Sequence, residues 1–178
     1  MCYNVFIINK GAIVINTENM QKTDSVCFTG HRSIDPSHAV MIPPLLEQLL
    51  RTLIKHGIIN FYAGGAIGFD TVAAITVLKL KKEFPHINLN LILPCKTQSK
   101  PWNEGDRKIY ESILLKADNV EYVCESYTST CMHMRNRRLV ECADICIAYC
   151  VHSGGGSAYT VTYALNNKKE VINLSDFM

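Results

Sequence analysis

The sequence predicts an α/β protein with a mostly parallel central sheet and helices on both faces. Short apolar runs typical of buried strands alternate along the chain with longer segments whose apolar residues recur at helical spacing. Three of the apolar runs end in a glycine turn that opens a helix, as crossover connections between parallel strands do. With 178 residues, of which 48% are hydrophobic and 19% charged, the chain is long enough to bury one ordinary core.

Two apolar runs near the start of the sequence predict a β-hairpin that precedes this sheet. Residues 5–8 and 12–15 are apolar, and residues 9–11 between them are typical of a turn. Neither a charged leader nor a small-residue cleavage site accompanies the runs, so we expect neither a signal peptide nor a membrane span. We therefore assign residues 1–24 to a hairpin extension and residues 25–178 to the main domain.

The elements of the main domain follow from periodicity and from prolines that mark helix ends. We expect Pro43 and Pro44 to lie in the first turn of the first helix or to delay its start, and Pro85 to follow the second helix. Residues 127–132 are predicted as a loop. The predicted strands are residues 26–29, 58–63, 88–93, 120–124, 144–149 and 171–174. The predicted helices are residues 37–56, 69–84, 106–117, 135–142 and 157–165.

Glycine-containing turns after three of these strands form a candidate anion site. They are residues 30–32 (GHR), 64–68 (GGAIG) and 153–157 (SGGGS). Glycine lets the backbone approach a ligand, and the first turn of the following helix offers free N–H groups to an anion. One such turn alone is more often a steric requirement of the connection. Three turns that meet beyond the carboxyl ends of parallel strands predict a phosphate-bearing small molecule as the ligand.

Two arginines near these turns support the same prediction. Arg32 follows the first glycine directly and Arg135 opens a predicted helix, and the planar guanidinium fits phosphate oxygens with two donors. Arg137 and Arg138 are expected on a solvated face instead. The formal net charge of +2 is small, so a nucleic acid partner is not expected.

Several motifs in this order resemble those of one known family. The motifs are residues 29–32, 64–70, Gln98 with Trp102, Arg135 with Asn136, and residues 154–157 with Thr160. Together they resemble the YpsA-like family of the SLOG superfamily, a Rossmann-like group that includes the DNA-processing protein DprA and the Lonely Guy nucleotide hydrolases. The resemblance spans about residues 25–173 and implies that the protein binds a nucleotide or a nucleotide-derived molecule.

Two of the candidate residues have more than one interpretation. Asp70 contacts a ribose hydroxyl or acts as a displaced catalytic acid, or it only stabilises the start of a helix. Trp102, the single tryptophan, stacks on a base or fixes its own loop against the sheet. The candidate nucleotide-binding residues are Gly30, His31, Arg32, Gly64, Gly65, Gly68, Phe69, Asp70, Trp102, Arg135, Asn136, Gly154, Gly155, Gly156, Ser157 and Thr160.

A comparison with the Lonely Guy hydrolases leaves the catalytic residues unknown. Residues 132–135 resemble their arginine segment, but residues 145–169 contain no carboxylate where those enzymes have a catalytic glutamate. Cleavage of a glycosidic bond needs such a group, so we expect a sensor or accessory factor without phosphoribohydrolase activity. The alternatives are a diverged nucleoside monophosphate hydrolase that uses Asp70 or Glu141, and a DprA-like binder of single-stranded DNA, since Gly156, Ser157 and Thr160 also resemble the DprA loop.

The eight cysteines lie mostly within apolar strands and helices, which predicts reduced thiols and a cytoplasmic protein. Cys146 and Cys150 do not form a Cys-x-x-Cys pair, and we expect no metal site. No cofactor is expected, and self-association into a homo-oligomer stays open.

Overall fold

A six-stranded parallel sheet forms the centre of the protein in a computed structural model, which describes residues 7–9, 12–14 and 23–178. The strands are β1 (Ile7–Asn9), β2 (Ala12–Val14), β3 (Ser25–Gly30), β4 (Asn60–Ala63), β5 (Asn88–Leu93), β6 (Asn119–Tyr122), β7 (Ile145–Tyr149) and β8 (Glu170–Asn173). The helices are α1 (Pro36–Ala39), α2 (Ile42–Lys55), α3 (Phe69–Lys81), α4 (Glu104–Lys116), α5 (Cys131–Glu141), α6 (Gly155–Asn166) and a final 3-10 turn (Leu174–Phe177).

The strand order β6-β5-β4-β3-β7-β8 confirms the predicted Rossmann-like sheet, and every pairing in it is parallel. The chain builds outward from β3 to β6 on one side and then returns to place β7 on the other side of β3. The order therefore reverses between β3 and β7, and ligands of such sheets bind beyond the carboxyl ends of the strands at that position. All three predicted glycine turns follow strands of this sheet, so they lie at the same edge.

The two N-terminal strands pair with each other and not with the large sheet. β1 and β2 are antiparallel, with Ile7 opposite Val14 and Asn9 opposite Ala12, as expected for the predicted hairpin. The predicted turn includes residues 10 and 11, which lie outside the described residues. The division of the chain at residue 24 stays a prediction.

The predicted helix over residues 37–56 is wrong as one element, because the structure divides it into α1 and α2. Pro43 and Pro44 lack an N–H and their rings exclude a preceding helical turn, so α2 has to start at Ile42. The short α1 has its own start, where the carboxylate of Asp35 accepts a hydrogen bond from the N–H of Ser37 at 2.8 Å.

The predicted loop over residues 127–132 is also too long, since α5 begins at Cys131. The side chain of Cys131 is fully buried, and the N–H of Met134 donates to the carbonyl of Thr130 at 3.0 Å. Burial of Cys131 stabilises this first helical turn. The polar residues before it gave no indication that the helix begins here.

The core has two parts, one on each face of the sheet. Alternate residues of a strand point to opposite faces, so Phe28 of β3 packs on one side and its neighbour Cys27 on the other. The larger part includes leucines of α2, among them Leu49, and Phe61 of β4, whose ring lies 6.2 Å from that of Phe28. Leu139 of α5 packs in the smaller part. The cysteines within residues 23–178 are free thiols.

Candidate functional site

A cavity of about 340 Å³ opens where the strand order reverses between β3 and β7. It is formed by the end of β3, by the two segments that follow β3 and β4, by α5, and by the start of α6. The lining residues are Phe28, Thr29, Gly30, His31, Arg32, Ala66, Asp70, Met132, Arg135, Asn136, Leu139, Gly156 and Ser157. Two arginines and one aspartate give these lining residues a formal charge of about +1 when all three are ionised.

A buried ion pair between Arg135 and Asp70 lies in the wall of this cavity. Nη1 of Arg135 is 3.5 Å from Oδ2 of Asp70, and the two residues are only 8% and 5% exposed. Asp70 sits in the first turn of α3, where its Oδ2 also accepts a bond from the N–H of Ala66 at 3.3 Å. Nε of Arg135 has no hydrogen-bond partner among the described residues. The pair therefore leaves part of a buried guanidinium unsatisfied beside a cavity.

Burial dominates the electrostatics of this pair. It raises the pKa of Asp70, while Arg135 and the N–H groups of Ala66 and Gly64 act in the opposite direction. Burial also lowers the pKa of Arg135, and the charge of Asp70 acts against that shift. An arginine still keeps its proton at neutral pH, so the cavity retains a fixed positive charge.

The glycines of the first two loops make room for neighbouring atoms. A Cβ at Gly64 would overlap Nη1 of Arg135 and lie 2.8 Å from Oδ2 of Asp70. At Gly68, with φ +82°, a Cβ would overlap the carbonyl oxygen of Arg32, and at Gly30 it would be 2.5 Å from Cβ of Phe69. These glycines let the first two loops and α3 pack closely around the ion pair.

The third glycine loop, between β7 and α6, is open instead. A Cβ at Gly154 or Gly155 would meet no atom within 4 Å, and one at Gly156 would lie 3.7 Å from Nδ2 of Asn136. The start of α6 has no side-chain cap. The carbonyl of Gly156 accepts bonds from Oγ1 of Thr160 at 2.7 Å and from Nδ2 of Asn136 at 3.3 Å, which fix the first turn of α6.

His31 touches the neighbouring loops through three different groups. Its backbone N–H donates to the carbonyl of Tyr149 at 3.1 Å, and its carbonyl accepts from the N–H of Phe69 at 3.1 Å. Its Nε2 accepts from the backbone N–H of Val151 at 2.9 Å. The first loop is thereby joined to the end of β7 and to the start of α3.

Eight of the predicted binding residues line the cavity together: Gly30, His31, Arg32, Asp70, Arg135, Asn136, Gly156 and Ser157. The structure places others in the supporting packing or just outside the cavity: Gly64, Gly65, Gly68, Phe69, Gly154, Gly155 and Thr160. Trp102 is not brought to the cavity. Its ring packs edge-on against Tyr110 at 5.3 Å, which corresponds to the interpretation that it fixes its own loop.

Five lining residues are absent from the candidate binding residues: Phe28, Thr29, Ala66, Met132 and Leu139. Helical spacing could have found two of them, because Met132, Arg135 and Leu139 are three and four residues apart and so share one face of α5. Phe28 and Thr29 could have been inferred from their place just before the first glycine. No group of three or more metal-ligating side chains occurs among the described residues.

Comparisons with known proteins identify the family of this chain. A family model named YpsA, described as the YspA SLOG family, matches residues 26–175. The chain belongs to this family. A relative, UPF0398 protein BH1768 of Halalkalibacterium halodurans, is 30% identical over 132 residues, which are 72% of this chain and 70% of that protein.

Two solved structures share the fold of this SLOG chain. DNA processing protein A of Helicobacter pylori, described for its single-stranded DNA binding mode, matches with a TM-score of 0.61 and 21% identity over 84% of this chain. The Streptococcus pneumoniae protein DprA matches with a TM-score of 0.62 and 17% identity over 84% of this chain. The present chain covers only 64% and 50% of those two proteins, so the similarity concerns the fold. No helix of the described residues is both long and apolar enough to cross a membrane.

Proposed function

We propose that this protein binds a nucleotide or nucleotide-derived molecule in the cavity between β3 and β7, and acts as a sensor or accessory factor. The observation that supports this most strongly is the unpartnered Nε of Arg135, whose residue is 8% exposed. A buried donor without a partner costs about 1–3 kcal/mol, and more when it belongs to a charged group. In this proposal, a ligand oxygen that comes within hydrogen-bond distance of Nε removes that cost.

A phosphate is the group that fits this donor set best. Arg32 and Arg135 line the cavity from the first loop and from α5, and the start of α6 lies beside them with no side-chain cap. Guanidinium groups and the N–H groups of a helix start both bind phosphate oxygens. Asp70 lines the same cavity. In this proposal its carboxylate accepts a bond from a ribose hydroxyl, which would distinguish a nucleotide from inorganic phosphate.

Mass spectrometry of small molecules released from the purified, denatured protein tests this proposal directly. A nucleotide recovered in this way should then bind the emptied protein in a calorimetric titration. Arg32→Gln should weaken that binding about tenfold, since a charge-assisted bond is lost. Arg138→Gln is the matched control, because Arg138 is also exposed but pairs with Glu121 outside the cavity. Equal effects of the two variants would contradict the proposed site.

A diverged nucleoside monophosphate hydrolase is the second candidate, and the state of Asp70 favours it. Burial raises the pKa of Asp70, which is the direction of shift that favours a carboxyl group as a general acid. Its Oδ2, however, is engaged by Arg135 and Ala66, so the carboxyl group is held in the wall. Release of free base from a nucleoside monophosphate, abolished by Asp70→Asn, would support the hydrolase over the sensor.

Binding of a single-stranded oligonucleotide is a third possible outcome, and it can be measured on the same purified protein. The small net charge of +2 argues against a long phosphate footprint. Binding of a single-stranded oligonucleotide with a steep dependence on salt, in the absence of nucleotide binding, would replace the proposed function.

A further inference from the structure

The imidazole of His31 accepts hydrogen bonds from two consecutive backbone N–H groups of the third loop. Nε2 lies 2.9 Å from the nitrogen of Val151 and 3.4 Å from the nitrogen of His152. These are the second and third residues after β7, just before the open glycines of the loop. The ring thus joins the first loop to the third through a side chain.

The identity of the donors decides the protonation state of His31. A backbone N–H can only donate, so Nε2 has to be the acceptor and must lack a proton. The ring is then neutral, with its one proton on Nδ1. A second proton would go to Nε2 and would convert both contacts into contacts between donors. The imidazolium cannot hold the loop in this way.

The surroundings of the ring also favour its neutral form. His152 of the third loop lies 5.3 Å away between ring centroids, and Tyr149 of β7 lies 5.9 Å away. Burial lowers the pKa of His31, and His152 lowers it further. Arg32 follows His31 in the chain, and Asp70 and Arg135 line the same cavity.

We propose that His31 is a positioning residue, whose neutral imidazole holds the third glycine loop in the ligand-binding arrangement and whose protonation releases it. The effect of this release on ligand binding rests on the proposed function, because the loop leads into Gly156 and Ser157, which line the cavity. Nucleotide binding should therefore weaken at mildly acidic pH.

Hydrogen exchange of the ligand-free protein tests the loop by itself. The protection of the amides of residues 151 and 152, corrected for the intrinsic effect of pH, should fall about tenfold from about pH 8 to about pH 5. His31→Gln should flatten this profile, because a glutamine oxygen can accept a bond but does not titrate in this range. Thermal melting at the higher pH shows whether the variant folds. Coincident profiles for the parent protein and His31→Gln would overturn the inference.

A second histidine supplies the matched control. His152→Gln should keep the pH dependence and move its midpoint to higher pH, since a neighbour that lowers the pKa of His31 is removed. If His152→Gln loses the pH dependence while His31→Gln retains it, the titrating residue is His152, and the inference is contradicted.

Adenosine 5′-monophosphate as a probe then connects the loop to binding. Its affinity should fall more between the two pH values for the parent protein than for His31→Gln, and this comparison cancels the titration of the phosphate itself. Equal losses in the two proteins, despite different exchange profiles, would contradict a role of the loop in binding. If no nucleotide binds at either pH, the proposed function fails. Hydrogen exchange of the ligand-free protein then still tests whether His31 holds the third loop.

Discussion

The second and third glycine loops each contain three glycines, but their surroundings are opposite. Residues 64–68 are packed so closely that a Cβ at Gly64 would overlap Arg135 and a Cβ at Gly68 would overlap the backbone of Arg32. In residues 153–156, added Cβ atoms at Gly154 and Gly155 meet nothing. The second loop therefore uses glycine to build the buried ion pair. The third loop keeps open space around its backbone, which is what a bound ligand needs.

The largest expected effect of a glycine substitution belongs to the second loop. Gly68→Ala combines a φ of +82° with overlap of a carbonyl oxygen, and we expect it to lower the free energy of unfolding by about 3 kcal/mol. Gly57→Ala is the control, because Gly57 has a φ of +101° but no atom within 4 Å of the added carbon. It should cost about 1 kcal/mol. Urea denaturation measures the free energy of unfolding of both variants. Similar decreases would show that the close packing around Gly68 adds nothing to the effect of its positive φ.

The ion pair that the second loop builds should contribute to binding. Replacing both partners, Arg135→Gln with Asp70→Asn, removes the two buried charges together and avoids leaving one of them alone. We expect the domain to stay folded and nucleotide affinity to fall by about 2 kcal/mol, as for a charged hydrogen bond. Calorimetry that finds unchanged affinity would remove Arg135 from the binding site.

Adjacent glycines of the third loop should respond differently from each other. Gly155→Ala should cost about 1 kcal/mol of stability, because φ at Gly155 is +85°. Gly156→Ala should leave stability unchanged or raise it by up to about 0.5 kcal/mol, since its Cβ would make only an ordinary contact with Asn136 within a helix. It should still weaken nucleotide binding, because Gly156 lines the cavity. Unchanged affinity in Gly156→Ala would mean that the open space of the third loop is not used by the ligand.

The smallest expected effect is the dependence of stability on pH that Asp70 introduces. Because burial raises the pKa of Asp70, the native state binds its proton more tightly than the unfolded chain does. This contribution is fully present below about pH 4 and is lost as the pH rises through the native pKa. In Asp70→Asn, the change in unfolding free energy across this window should be smaller. Equal pH profiles, from denaturation at each pH, would show that Asp70 does not titrate in the buried pair.

Local sequence patterns determined the sheet and the positions of the three loops. Strand-like runs, helical spacing and glycine turns depend on neighbouring residues, so the parallel sheet and the common edge of Gly30, Gly64 and Gly154 followed from them. The same reasoning failed at α1 and α2, where helical spacing predicted one helix over residues 37–56 although α2 begins anew at Ile42, and at the start of α5, where burial of Cys131 extends the helix.

Tertiary structure alone decided which side chains meet at the site. The sequence placed Arg135 and Asp70 near glycine loops, but only folding brings residues separated by 65 positions into one buried pair, with Gly64 leaving space for the guanidinium. It likewise placed Trp102 on Tyr110 and the ring of His31 against the backbone of Val151. The direction of a side chain depends on how helices pack across the sheet, and short-range periodicity contains no information about that packing.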